Sequence, residues 1–148
     1  MSSVTLSHRI STVPSSRILI TAVPTFGRAL IATIFLLSGI SKLMAPAMTI
    51  SYIEAVGLPL PSIAYGAAVL VEIAGSLALV VGFQTRLVAL ALAGFSVITA
   101  VAFHANLADQ NQFIHFFKNV AMAGGLLQVL AFGAGPLSFD GWRRHSSR

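Results

Sequence analysis

The fold of this chain is decided by residues 62–82, which read SIAYGAAVLVEIAGSLALVVG. A helix needs about 20 mostly apolar residues to cross the roughly 30 Å hydrocarbon core of a bilayer, and this stretch has that length with Glu72 as its single charged residue. The whole chain of 148 residues is 56% hydrophobic and 9% charged, and its mean hydropathy is +0.88. These values exclude an ordinary soluble domain and indicate a membrane protein.

Three further apolar stretches are long enough to span a membrane, and turn signals bound them. With the first stretch they form a predicted domain of residues 24–140 with spans at residues 24–44, 62–82, 86–105 and 115–135. Ala45-Pro46 ends the first span, and Gly135-Pro136 ends the last. The sequence therefore predicts an all-α fold, an integral membrane four-helix bundle.

Both ends of the chain are polar. Residues 1–23 contain nine Ser or Thr, two Arg and no acidic residue, which predicts a disordered tail. A cleaved leader is the alternative, because the apolar stretch 29–41 is followed by the small residues of Ala45-Pro46-Ala47. Residues 141–148 are predicted to form a short basic cytoplasmic tail.

The distribution of Lys and Arg predicts the orientation, because cations are retained on the cytoplasmic side of a membrane. If the N-terminus is cytoplasmic, only Lys42 and Lys118 lie at the outer ends of spans. The other seven cations are then cytoplasmic: Arg9, Arg17, Arg28, Arg86, Arg143, Arg144 and Arg148. Both termini are therefore predicted to be cytoplasmic.

The first outer loop, residues 45–61, carries Met48, Ile50, Ile53 and Val56 at spacings typical of a short helix lying in the membrane interface. Such a helix is either a plain connector that covers the mouth of the bundle or a lid that controls access to it. The spacing alone leaves both readings open.

Composition also excludes several kinds of chemistry. The chain has no cysteine, so disulfides, thiolate nucleophiles, Cys-ligated zinc and iron–sulfur clusters are excluded. The net charge of +5 forms no basic stripe, so we expect a bilayer and no nucleic acid as partner. His104 and His115 stand near one interface without a third ligand of a recognisable motif, and no metal site is predicted.

Glu72 is the most informative polar residue, because an ionised carboxylate near the middle of a bilayer costs at least a few kcal/mol unless it is paired or protonated. It can serve a structural bond between helices or take part in function, and the sequence leaves both open. Its expected partners lie on the first or fourth span, at Lys42, Lys118 or Asn119. Arg28 can either point inward or extend to the cytoplasmic interface.

Several polar side chains are predicted at the outer end of the bundle, above Glu72. They describe a net-cationic vestibule able to hold an anion, a quinone headgroup or a lipid headgroup. The residues assigned to it are Ser38, Lys42, Tyr65, Glu72, His104, Lys118 and Asn119. Gly39 and Gly125 share helix faces with these groups and are predicted at close helix contacts, where small residues let backbones approach.

A set of short segments, in this order and on four apolar spans, resembles the DoxX family of small four-helix bacterial membrane proteins. The segments are Arg28-Ala-Leu, Phe35-Leu-Leu-Ser-Gly-Ile-Ser-Lys42-Leu, Glu72 at mid-helix, Gly82-Phe-Gln-Thr-Arg86, Phe116-Phe-Lys-Asn119 and Gly133-Ala-Gly-Pro-Leu-Ser-Phe-Asp140. The resemblance implies a location in the bacterial inner membrane and an association with quinone-linked or oxidative-stress redox systems. It implies no catalytic residues, and a direct thiol role is excluded by the lack of cysteine.

Two functions of different classes follow. In the first, the chain is an accessory or small subunit of a membrane redox system, with a quinone as the cofactor that the vestibule allows. In the second, it does no chemistry and acts as an anchor or assembly factor, or as a carrier of a small solute or lipid. The absence of a cofactor ligand set favours a chain that is not an enzyme on its own, working with a redox partner subunit or as a homo-oligomer.

Overall fold

The computed structural model describes residues 14–146, with side chains from residue 19 onward. Over this range the chain is helical, with no strand. The six helices are α1 (Pro14–Met44), α2 (Pro46–Ala55), α3 (Pro61–Val81), α4 (Thr85–Phe103), α5 (Gln110–Phe132) and α6 (Phe139–Ser146). The part of the predicted tail at residues 1–13 lies outside the described residues.

Within that range, four of the helices are long and apolar enough to cross a membrane. The candidate spans are Leu19–Met44, Pro61–Val81, Thr85–Phe103 and Gln110–Phe132. The predicted all-α, four-span fold is confirmed. The last span begins earlier than residue 115, because the Asp109 carboxylate accepts a hydrogen bond of 2.9 Å from the backbone N–H of Gln112 and so caps α5.

The first span also begins earlier than predicted, since Pro24 lies inside α1. A proline removes one backbone donor from a helix, which made Pro24 the expected start of the span. Membrane helices tolerate proline where neighbouring groups satisfy the freed backbone. Near this position the Thr25 hydroxyl donates to the carbonyl oxygen of Thr21 at 3.2 Å.

The four spans form a closed bundle. α1 packs mainly against α3, and α5 mainly against α4, while contacts of α3 with α4 and of α1 with α5 complete the ring. The core combines a few large apolar side chains with alanines, which keep the helices close. Its buried members are Ala32, Phe35, Leu79, Ala89, Leu92, Ala93, Ala123 and Leu126.

The outside of the bundle is apolar. Leu37, Leu70 and Leu87 each expose more than half of their surface, and similar side chains are exposed on all four spans. A surface this apolar exceeds what monomers in water expose, and it matches the hydrocarbon of a bilayer. The helices therefore bury small and polar residues inside and present their large apolar residues to lipid.

One end of the bundle, called here the arginine end, is organised by Arg28. This side chain is 1% exposed, so the alternative in which it extends to the interface is wrong. Its Nη1 atom donates to the carbonyl oxygens of Leu79 at 2.8 Å and Val80 at 3.3 Å, and its Nη2 atom donates to that of Leu137 at 2.9 Å. Because the last carbonyls of a helix lack partners within it, Arg28 caps the C-terminus of α3.

Gly82 makes this contact feasible. Its φ of 75° lies in the left-handed region, and a Cβ atom added there would stand 2.6 Å from Nη1 of Arg28. The turn after α3 therefore requires glycine for both its backbone conformation and the passage of the guanidinium.

The neighbouring helix start is capped by Asp140 from α6. Its carboxylate accepts hydrogen bonds from the backbone N–H groups of Gln84 at 3.0 Å and Thr85 at 2.8 Å. Burial opposes ionisation of Asp140, but the hydrogen bonds from Thr85 and Gln84 and the charge of Arg144 outweigh it, so the pKa of Asp140 lies below its usual value. The segment predicted as a basic tail thus contains a helix that closes the arginine end.

Candidate functional site

The opposite end, called here the lysine end, is organised by Glu72 of α3. Glu72 is 3% exposed, and its Oε1 atom accepts hydrogen bonds from Lys42 Nζ at 2.8 Å and from Ser38 Oγ at 3.0 Å. Lys42 also donates to Ser38 Oγ at 2.8 Å, one helical turn away on α1. Of the three partners expected from the sequence, Glu72 pairs with Lys42, and the hydroxyl of Ser38 is a further donor to it.

The close approach of α1 and α3 at this point depends on Gly39. A Cβ atom added at Gly39 would stand 2.7 Å from Cδ1 of Ile73 and 3.2 Å from Cβ of Glu72. The absence of a side chain here lets the two backbones come together, so Lys42 and Ser38 reach the carboxylate at the depth of the middle of α3.

The second carboxylate oxygen of Glu72 is unsatisfied. Oε2 is buried and accepts no hydrogen bond from any residue that the structure describes. A buried acceptor without a donor is destabilising by about 1–3 kcal/mol, and more when it is charged. Glu72 is also one of the residues that line a cavity.

The cavity has a volume of about 860 Å³ and lies between the four spans and α2. Most of its wall is apolar, with side chains such as Phe35, Phe95 and Phe103. Its polar groups comprise Ser38, Lys42 and Glu72 on one side, with further groups contributed by α4 and α5. The cavity is thus a mostly apolar chamber with a few polar groups, and these polar groups are called here the polar pole. This is the usual composition of a small-molecule site.

Helix α2 closes the chamber on one side. Met48, Thr49, Tyr52 and Ile53 line the cavity from this helix, and Ile53 is buried at 4% exposure. The Tyr52 ring packs against the ring of Phe103 with centroids 5.4 Å apart, which joins α2 to the end of α4.

The α5 side of the cavity carries His115, Lys118 and Asn119. Lys118 Nζ lies 3.0 Å from Nδ1 of His115, and the Asn119 amide donates to the carbonyl oxygen of His115 at 2.9 Å. The ring of His115 stacks on that of His104, with centroids 5.0 Å apart. His104 in turn lies 3.0 Å from Oε1 of Gln112.

Six of the seven vestibule residues predicted from the sequence therefore line this cavity: Ser38, Lys42, Glu72, His104, Lys118 and Asn119. Tyr65 does not. Its hydroxyl instead donates to the carbonyl oxygen of Lys42 at 3.3 Å and so supports the end of α1. Gly125 lies against α1, where an added Cβ atom would stand 3.2 Å from Cδ1 of Ile31.

Sequence reasoning missed the contribution of α2 and of Thr99 to the cavity. The apolar spacing in residues 45–61 indicated a helix there, but it carried no information on which side chains face the bundle. Within the described residues no group of three or more His, Asp or Glu side chains is placed to hold a metal ion.

Comparison with known proteins agrees with a bundle that lies in a membrane. The sequence pattern of the DoxX family matches residues 23–105, which is more than half of the chain. Inner membrane protein YqjF of Escherichia coli K12 is 38% identical over 116 residues, covering 76% of this chain and 85% of the relative. Inner membrane protein YphA of the same organism is 32% identical over 118 residues, covering 76% and 84%. No solved structure matches the chain with significance.

Four apolar spans with polar groups buried between them define a polytopic membrane bundle. The chain belongs to the DoxX family. Both relatives are named as inner membrane proteins, and these names describe a compartment and no reaction.

Proposed function

We propose that this chain is the small membrane subunit of a redox system and binds a lipid-soluble quinol, more tightly than the corresponding quinone, in the cavity at the lysine end. The observation that carries the proposal is the buried carboxylate of Glu72, a residue that lines an apolar chamber and whose Oε2 atom accepts no hydrogen bond from any described residue. In this proposal the electron-transferring centre belongs to a partner protein, since the chain has no cysteine and the residues that the structure describes include no group of three or more His, Asp or Glu placed to hold a metal ion.

The size and polarity of the cavity support a ligand of this kind. A volume of about 860 Å³ is within the range of pockets that hold drug-sized molecules. The aromatic walls suit a flat ring with an apolar tail, and the polar pole suits oxygen atoms on that ring. An isolated small anion would leave most of the apolar wall without a partner.

The chemistry of the polar pole specifies the headgroup. An ionised carboxylate accepts hydrogen bonds and donates none, so Oε2 of Glu72 calls for a donor such as a hydroxyl. Lys42, Lys118 and Asn119 carry N–H donors, which suit a second oxygen of the ligand. A ring that carries a hydroxyl and a further oxygen, as a quinol does, satisfies both sets.

We propose the orientation with both termini in the cytoplasm and the lysine end at the outer face of the inner membrane. The charge distribution supports it, because Arg28, Arg86, Arg143 and Arg144 gather at one end and Lys42 and Lys118 lie toward the other. Helix α2 then lies at the outer interface, where it covers the cavity.

The test is the binding of decylubiquinol and decylubiquinone to the purified chain in detergent, followed by the change in thermal stability. A matched pair of variants separates the cavity from the outer surface: Ala68 lines the cavity, whereas its neighbour Ala67 is exposed on the outside of α3. We expect saturable binding that Ala68→Phe abolishes and Ala67→Phe leaves within about twofold of the unsubstituted protein. Equal effects of the two variants, or no saturable binding, would refute the proposal.

The role of Glu72 is tested by Glu72→Gln, with Glu54→Gln on the exposed face of α2 as the matched control. A neutral amide keeps one acceptor oxygen but loses the charge, so we expect affinity for the quinol to fall by roughly tenfold. Glu54→Gln is expected to have no effect. If diacylglycerol of similar size binds as tightly as decylubiquinol, the result favours a lipid carrier over a redox subunit.

A further inference from the structure

We propose that the arginine end binds the phosphodiester headgroup of an anionic phospholipid in a groove between α4, α5 and α6. The groove has a volume of about 510 Å³. Its charged lining residues are Arg86, Asp140, Arg143 and Arg144. The site lies at the other end of the bundle from the cavity of the proposed function and does not depend on it.

Among the described residues that line the groove, three are arginines and one carries a carboxylate. Asp140 carries the single carboxylate among the described residues that line it, and this carboxylate already accepts the backbone N–H groups of Gln84 and Thr85. Arg86 donates to the carbonyl oxygen of Ala131 at 3.3 Å through its Nη2 atom, and the other N–H groups of its guanidinium remain as further donors. Guanidinium groups match the oxygens of a phosphate in geometry and charge.

The depth of the groove identifies the source of the phosphate. Thr85 begins one candidate span and Phe132 ends another, so the groove lies at the level where the hydrocarbon core meets the headgroups. The lipid phosphates of a bilayer stand at this level. A site for an anion from solution could carry the same charges, but it would not have to lie at the level of the lipid headgroups.

Aromatic side chains beside the groove support the same depth. Phe83, Phe139 and Trp142 are exposed, with the Phe139 ring 5.6 Å from that of Phe83 and 5.7 Å from that of Trp142 between centroids. Exposed aromatic clusters at the ends of spans are typical of the membrane interface. Helix α6 therefore places Trp142 against lipid and the adjacent Arg143 and Arg144 at the phosphate level.

The experiment measures lipid binding to the full chain by native mass spectrometry and by thermal stability in zwitterionic micelles. We expect phosphatidylglycerol to remain bound and to stabilise the chain, and phosphatidylcholine to do neither at the same concentration. The double variant Arg86→Gln/Arg143→Gln is expected to lower the affinity for phosphatidylglycerol by roughly tenfold or more. The control Arg86→Lys/Arg143→Lys keeps both positive charges of the groove and is expected to retain the preference for phosphatidylglycerol.

Two outcomes would overturn the proposal. If both lipids stabilise the chain equally, or the double variant keeps the preference for phosphatidylglycerol, the groove does not recognise the headgroup. If inorganic phosphate or glycerol 3-phosphate reproduces the full stabilisation without any anionic lipid, the site binds a soluble anion. Loss of quinol binding has no bearing on these results, because the cavity lies at the lysine end.

Discussion

Replacement of Arg28 by methionine is expected to destabilise the bundle more than any change at an exposed arginine. The guanidinium joins α1 to the end of α3 through Leu79 and Val80, and to the segment before α6 through Leu137. Methionine has a similar length and fills much of the same space, but it donates no hydrogen bond. The three carbonyl oxygens then lose a charged donor, one of them at a buried contact and two at partly buried ones.

The magnitude follows from the two short contacts, of 2.8 Å to Leu79 and 2.9 Å to Leu137. A hydrogen bond to a charged group contributes about 1.5–3 kcal/mol in water-soluble proteins, whereas bonds between membrane helices average about 0.6 kcal/mol. The variant also regains the desolvation free energy of the buried cation, which limits the loss. We therefore expect Arg28→Met to lower the free energy of unfolding by about 2–4 kcal/mol.

The assay is equilibrium unfolding in mixed micelles with increasing dodecyl sulfate, followed by the fluorescence of Trp142, the single tryptophan of the chain. Arg28→Lys keeps the positive charge but lacks the several N–H donors of the guanidinium. We expect it to lower the free energy of unfolding by about half as much as Arg28→Met. Arg86→Met, at an exposed position of the same end, is expected to change stability by within about 0.5 kcal/mol. A loss below about 1 kcal/mol for Arg28→Met would refute the capping role.

Gly39→Leu is expected to lower the melting temperature in detergent by several degrees, because the leucine side chain would overlap α3. The control Ala91→Leu, at an exposed position, is expected to leave the melting temperature nearly unchanged. Equal effects of the two variants would contradict the close packing of α1 and α3 at Gly39. A cysteine at Ser51 is expected to react with an impermeant maleimide in intact cells and one at Ser146 is not; the opposite pattern would reverse the proposed orientation. Folding lowers the pKa of Asp140, so the stability that its carboxylate contributes is present above the ordinary pKa and is lost as the pH falls through the folded value. We therefore expect the stability of the Asp140→Asn variant to depend less on pH on the acid side. If the variant is as sensitive to acid as the unsubstituted protein, this cap is not the source of the pH dependence.

The four spans could be predicted from the sequence because a bilayer imposes one rule on every segment. Each backbone polar group must be satisfied within the segment, so an apolar stretch of the right length becomes a helix. The boundaries were less certain, since helix ends depend on local caps. Asp109 caps α5 ahead of the expected start, and Pro24 lies within α1 because the helix tolerates it.

Whether a polar contact could be predicted from the sequence depended on whether its partner is a side chain or the backbone. The pairing of Glu72 was expected from the sequence because its partner is another side chain of opposite charge, and Lys42 and Ser38 lie on one face of α1. The role of Arg28 could not be predicted, because its acceptors are backbone carbonyl oxygens, which every residue carries. Asp140 was missed as a cap for the same reason, since its donors are the backbone N–H groups of Gln84 and Thr85.

Arg28 and Glu72 are both buried in the bundle, but they differ in how completely the protein satisfies their hydrogen-bonding groups. Arg28 donates through two of its nitrogens to three carbonyls, its remaining Nε–H is buried away from both cavities, and the whole group holds helix ends together. Glu72 satisfies one oxygen within the protein and presents the carboxylate to a chamber of about 860 Å³. One oxygen of the carboxylate is desolvated without a partner, and this makes an unfavourable contribution to the stability of the bundle. A ligand that supplies the missing donor removes this unfavourable term, and the free energy so recovered adds to its affinity and restricts it to molecules that carry a hydroxyl at that point.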